Sequence, residues 1–188
     1  MKKRIFTCAM ILIFFAVVVQ GTVAFYTTEN TARNTITTSA VDITLIEEQK
    51  VDGKLEPFPS GLVYAKPGMT ISKIVSIKCE DADSWVRVKV DSNFSDKEGN
   101  PLNVDKNTIE SSVIFDTNTE DWEYKDGWWY YKEPLKKGKT TENLFENVTF
   151  SKNMGNVFQG STVDIKVSVQ AVQVANNGNS VLEASGWE

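Results

Sequence analysis

The sequence predicts an all-β fold, an antiparallel β-sandwich or barrel that follows an N-terminal signal peptide. Three observations carry this. No apolar pattern of helical period is sustained beyond residue 24, short segments alternate apolar with polar residues, and clusters of Gly, Pro, Asn and Asp separate those segments. A chain of 188 residues with 24% charged and 41% hydrophobic residues suits a single globular domain. The expected organisation is a signal peptide over residues 1–24, an extended N-terminal arm over 25–39, and the sandwich domain over 40–188.

The chain begins with the basic cluster Lys2, Lys3 and Arg4. Residues 5–19 follow without a charge, and then comes Gln20-Gly21-Thr22-Val23-Ala24. A basic, then apolar, then small-residue order is that of a secretory signal peptide, with Thr22 and Ala24 fitting the peptidase's pockets and cleavage expected between Ala24 and Phe25. The apolar run is 15 residues long, short of the roughly 20 that span a bilayer. The alternative is a retained anchor extended through Phe25, so membrane contact is expected only through an uncleaved signal.

Residues 1–24 hold three cations and no acid, so the rest of the chain carries 17 Lys+Arg against 25 Asp+Glu, a net charge of −8. An acidic surface repels phosphate backbones, and nucleic acid is not an expected partner. Once Cys8 has left with the signal, Cys79 is the sole cysteine and no intramolecular disulfide can form. A disulfide-free exported domain must rely on its core, which fits a Gram-positive setting better than a eukaryotic one.

Residues 25–39 are rich in Thr and Asn and too poor in apolar residues to fold alone, but their β-branched content suits an extended strand. Residues 40–45 alternate as a strand, and residues 47–60, with acids, Gly53, Pro57 and Pro59, read as a loop. Lys66-Pro67-Gly68-Met69 is a turn, followed by a strand over 71–79 whose apolar face is interrupted by Lys73. Residues 85–90 place Val86, Val88 and Val90 inward and Arg87 and Lys89 outward. Residues 91–107 read as a long polar loop and 111–116 as a strand. Residues 122–131 form a hairpin around Asp126-Gly127, the strongest short hairpin signal. Residues 144–150 have a mixed pattern. Residues 162–174 form the last long strand, with Val163, Ile165, Val167 and Val169 inward, and residues 181–184 form one helical turn before Trp187.

Three sites of possible chemistry stand out. Asp91, Asn93, Ser95 and Asp96, with Glu98 close behind, put oxygen ligands at alternate positions and make a candidate weak calcium loop, although Leu102 stands where an EF-hand needs glutamate. The hairpin register puts Trp122, Tyr124, Trp129 and Tyr131 on one face, expected to be core. Glu123, Lys125, Trp128 and Tyr130 fall on the other. A face mixing charges with two large rings is expected to be partly wet, which makes Trp128 and Tyr130 candidate partner-binding residues for a protein or a sugar. Cys79 closes an alternating strand and reads as a small core residue.

Three segments resemble the TasA/camelysin family of exported Gram-positive surface and matrix proteins. They are Gly21-Thr22-Val23-Ala24-Phe25-Tyr26-Thr27 with Thr31-Ala32-Arg33-Asn34 and Val41-Asp42-Ile43-Thr44-Leu45; Lys66-Pro67-Gly68 leading into residues 71–78; and Gly155-Asn156-Val157-Phe158-Gln159-Gly160-Ser161 with the strand 163–173. The chain departs from that pattern at Thr27-Thr28, where the family often has an acidic residue, and in its aromatic hairpin. A subfamily of exported proteins processed by an alternative signal peptidase is similar too.

The resemblance implies a jelly roll, processing by a dedicated signal peptidase, and a secreted or cell-surface location. It also implies a structural or binding role in a biofilm-type matrix, with self-association or other surface proteins as partners. It further brings a metallo-endopeptidase label, carried by camelysin-type members. This chain has no histidine, so neither an H-E-x-x-H zinc site nor a histidine-based triad can form. No enzyme activity and no cofactor are expected. The rival readings are the camelysin-like protease and a carbohydrate-binding module using Trp128 and Tyr130.

Overall fold

The structure is a computed structural model, and it describes residues 35–36, 41–59, 63–64 and 66–187. The fold is an all-β sandwich. Among the described residues, one sheet is built from β1 (Thr35–Ile36), β4 (Val63–Tyr64), β6 (Ser84–Ser95), β8 (Trp122–Lys125), β9 (Trp128–Tyr131) and β11 (Thr162–Gln173), in the order β1-β11-β6-β9-β8 with β4 also on β11. The other holds β2 (Ile43–Val51), β3 (Lys54–Pro57), β5 (Thr70–Cys79), β7 (Val113–Phe115) and β10 (Phe145–Phe150), in the order β3-β2-β5-β10-β7. One short helix, α1 (Lys106–Ser112), precedes β7.

The first sheet is organised by β6 and β11, which pair antiparallel over their full lengths, from Ser84 opposite Gln173 to Ser95 opposite Thr162. This register puts Val86, Val88 and Val90 opposite Ala171, Val169 and Val167, so the inward phase read from both strands is one continuous apolar face. From the second sheet come Ile43, Leu45, Val75, Ile77, Cys79, Phe145, Val148 and Phe150, all buried in the same core cluster. Cys79 is a free, buried thiol that donates to the Ala82 carbonyl.

Three expectations are corrected. Residues 47–60 are largely a hairpin, β2 and β3 around Asp52-Gly53, and not a loop. Asp52 and Gly53 take φ of 50° and 79°, the left-handed pair a two-residue turn of this kind needs. The strand was hidden because β3 is exposed on both faces, which erases the alternation. Residues 91–107 are not one long loop either, since β6 continues to Ser95 against β11. The strand expected over 111–116 is confined to Val113–Phe115. Its first two residues end α1, whose cap is Asp105, accepting from the Thr108 N–H at 3.0 Å and the Thr108 hydroxyl at 2.6 Å.

The interruption at Lys73 has a geometric cause. Phe145 of β10 lies opposite Val75 but Asn147 lies opposite Ser72, so β5 carries one extra residue at this point, a β-bulge. Lys73 is buried there, 3% exposed, with its ammonium paired to Glu47 and lying 3.9 Å from the Phe58 ring centre.

Candidate functional site

The aromatic hairpin forms in the register its sequence dictates, with Trp122 opposite Tyr131, Glu123 opposite Tyr130, Tyr124 opposite Trp129 and Lys125 opposite Trp128. Asp126 and Gly127, at φ 49° and 84°, make the turn. On the inner face Trp122 is fully buried, gives its indole N–H to the Glu142 carbonyl at 3.2 Å, and packs on Tyr131 at 5.0 Å. Trp129 and Tyr131 are partly buried against the core. Tyr124, expected in the core, is 55% exposed. It sits on the edge strand of the sheet, next to the turn, with neighbouring ladder on one side alone, and its ring contact is Trp129 at 4.9 Å.

The other face differs from the expectation of a wet surface. Tyr130 is only 8% exposed and Trp128 is half-buried. Gln170, Arg87 and Tyr130 form one row across β11, β6 and β9. The Arg87 side chain is 9% exposed; Nε lies 2.8 Å from Gln170 Oε1, Nη2 shares the same oxygen, and Nη1 reaches the Tyr130 hydroxyl at 3.3 Å. Its guanidinium also lies 4.2 Å from the Trp128 ring centre and 4.7 Å from that of Trp187. The outward-facing arginine of the sequence pattern is thus on the outer face, as expected, but under cover.

That cover is the segment after β11. Val181 and Ala184 are buried with Trp85, Tyr130 and Val172 in a second apolar cluster, and Val174, Trp128 and Trp187 pack around it. This C-terminal strap is fastened at Asn177. The Trp85 indole donates to the Asn177 carbonyl at 3.0 Å. The Asn177 amide gives a hydrogen bond to the Ser185 carbonyl at 3.1 Å, and its Oδ1 accepts from the Ser185 N–H at 2.8 Å and hydroxyl at 3.1 Å. The strap was missed in the sequence, although Trp85 and Val172 stand in the outward register of strands otherwise polar on that face. Large apolar side chains in an outward phase signal a covering layer.

The candidate calcium residues do not converge. Asp91 and Asn93 lie on β6, where Asp91 pairs with Lys89 at 3.3 Å. Asp96 closes the following turn on itself, accepting from the N–H groups of Glu98 and Asn100 at 2.9 and 2.8 Å and from the Asn100 side chain. The Asn100 contacts, followed by those turn N–H groups, hold its carboxyl below the usual range. Its oxygens accept from the turn's own donors. No group of three or more His, Cys, Asp or Glu placed to hold a metal occurs among the described residues. The cleavage pair Ala24 and Phe25 lies outside the described residues.

The remaining feature is the outer edge of β11. β4 pairs antiparallel with it at Thr162 and Val163, and β1 pairs parallel at Ser168 and Val169. Among the described residues, the positions between, 164–167, have no strand on that side. β1 is Thr35–Ile36, two residues of the segment read as an extended arm. An edge strand presents a row of N–H and C=O groups, and among the described residues two short pieces pair with this one. No helix among the described residues is long and apolar enough to cross a membrane. Comparison with protein-family models, curated proteins and solved structures finds no match.

Proposed function

We infer that this chain is an exported, non-enzymatic protein of the cell surface or extracellular matrix, which works by associating with copies of itself or with other surface proteins through its sheet edges. The observation that carries this reading is the pairing of Thr35–Ile36 with β11. A segment from ahead of the domain adds to the edge of β11, and strand addition of that kind draws its affinity from backbone hydrogen bonds available to any chain of suitable register. A second copy presents the same edge and the same arm. The signal-like N-terminus, the acidic surface and the resemblance to TasA/camelysin proteins support an extracellular setting. The lack of histidine tells against the protease reading.

The test compares protein starting at Phe25 with protein starting at Ser39, by sedimentation velocity and electron microscopy over a concentration series. The reading expects oligomers or fibres from the longer form alone. If both stay monomeric at high concentration, or both assemble alike, the arm is not the connector.

A further inference from the structure

We propose that Asn177 is a site of spontaneous deamidation and that its conversion unfastens the C-terminal strap. Asn177-Gly178 is the one Asn-Gly pair in the chain. The fold itself requires the glycine. Gly178 has φ of +77°, and a Cβ at that position would lie 3.1 Å from the Glu183 carbonyl carbon and 3.2 Å from the Ala184 nitrogen. The absence of a side chain there also removes the steric shield that any other residue would place over the preceding asparagine. The close turn and the reactive dipeptide are therefore one requirement.

The chemistry needs only water. The Gly178 backbone nitrogen, on losing its proton, bonds to Asn177 Cγ. The bond from Cγ to the amide nitrogen breaks, and that nitrogen leaves as ammonia carrying the proton taken up from solvent. Water then opens the cyclic imide at one of its two carbonyls, giving aspartate or isoaspartate. Two donors from Ser185, at 2.8 and 3.1 Å, rest on the Oδ1 where negative charge develops during the attack. These bonds lie at the solvent-exposed surface, so water and base reach them.

The products cannot fasten the strap as the amide does. An aspartate has no N–H for the Ser185 carbonyl, which leaves two acceptors facing each other where a donor stood. An isoaspartate routes the main chain through Cβ and Cγ, so the oxygen that accepted from Ser185 becomes the peptide oxygen to Gly178 and the carbonyl that accepted the Trp85 indole becomes a free carboxylate, on a chain one carbon longer. Release uncovers Trp85, Trp128, Tyr130 and the Arg87 guanidinium, the aromatic cluster on the outer face of the first sheet.

The purified chain, held at mildly alkaline pH and sampled over days, tests both halves. Peptide mass spectrometry is expected to show the amide lost at Asn177 before any other asparagine, with isoaspartate as the larger product. Over the same period residues 175–187 should become cleavable by added protease and more tryptophan fluorescence should become quenchable. The Asn177→Asp variant should start in that opened state with its cooperative unfolding transition intact; if that variant fails to fold, the aged native chain gives the same reading. A synthetic peptide of residues 174–187 serves as the unstructured reference. Conversion in the peptide with an unchanged amide in the folded chain overturns the site. Conversion in the folded chain with a strap as protected as before overturns the latch.

Discussion

Trp187 lies with its ring centre 4.7 Å from the Arg87 guanidinium, on a residue that the sequence pattern sends toward solvent. The contact joins the strap to the central strand of the first sheet. It also explains why an arginine sits at 9% exposure, since its charge is met by Gln170, the Tyr130 hydroxyl and aromatic faces.

Trp187→Ala is therefore expected to lower stability by about 1–2 kcal/mol, from lost apolar burial and one cation–π contact. Arg87→Lys is expected to cost a similar amount, about 1–2 kcal/mol, because an ammonium cannot reproduce the fork on Gln170 Oε1 or stack on Trp128. Urea unfolding of the two variants checks this. A native-like midpoint for Arg87→Lys would show that the guanidinium plane is not what the cluster uses.

Val167→Asp is expected to abolish soluble expression, while Lys166→Asp is tolerated. Val167 is 4% exposed in the main core and Lys166 is on the outer, exposed side of β11. Burying one such apolar side chain is worth roughly 1.5–3 kcal/mol, and the aspartate adds an unpaired buried charge. Equal yields from the two variants would mean that the phase of β11 is wrong.

The Lys73 and Glu47 pair should be asymmetric to mutation. Glu47→Ala leaves an ammonium 3% exposed without its counter-charge and is expected to cost about 2–4 kcal/mol. Lys73→Met removes the charge, keeps the stem against Phe58, and is expected to fall within about 1 kcal/mol of the native chain. Thermal unfolding decides between this and equal losses, which would mean that Glu47 acts through packing and not charge.

Acid should unfold the protein by titrating carboxylates held in the folded state. Burial pushes Asp116 up, but the Asn147 and Glu146 donors outweigh it and leave the carboxyl below its ordinary value. Glu146 is lowered by Asn143 and Lys50, and Asp83 by Lys136 and the Lys137 N–H. With lowered folded values, the unfolded chain binds protons first. Their contribution is whole above about pH 5 and is lost as pH falls through the folded values. Asp116→Asn should be less stable at neutral pH yet lose less between neutral and acid; an unchanged acid slope measured by denaturant titration would sink this assignment. Tyr131, raised by burial, works the other way, and its contribution should fade as pH climbs above about 10.

Much of the sandwich was legible because period-two patterns survive wherever one face of a strand meets the core. Val86 to Val90 and Val163 to Val169 read correctly for that reason, and Asp126-Gly127 fixed the hairpin's register. The same Asp-Gly signal at 52–53 was overlooked because β3 is exposed on both faces and offers no alternation to support it. Lys73 was illegible because a bulge shifts the phase by one residue. Of the candidate site, Trp128 and Tyr130 were picked out by their chemistry. Their cover came from residues 174–187, far along the chain, with little periodicity of its own. Nothing local ties such a segment to the face it packs on; the pointers were Trp85 and Val172, large and apolar in an outward phase.

The pairing of β6 with β11 also sets a timetable for folding. Partners in this ladder lie from 67 residues apart, at Ser95 and Thr162, to 89 apart, at Ser84 and Gln173. Closing a loop of that length costs entropy before any of the ladder's bonds repay it. During synthesis the edge of β6 that meets β11 must therefore stay open until residue 173 has emerged, while its other edge can pair earlier with β9 of the intervening hairpin. Anything that keeps the nascent chain from aggregating in that interval, a holding chaperone or a narrow exit channel, acts on the edge of β6 that awaits β11.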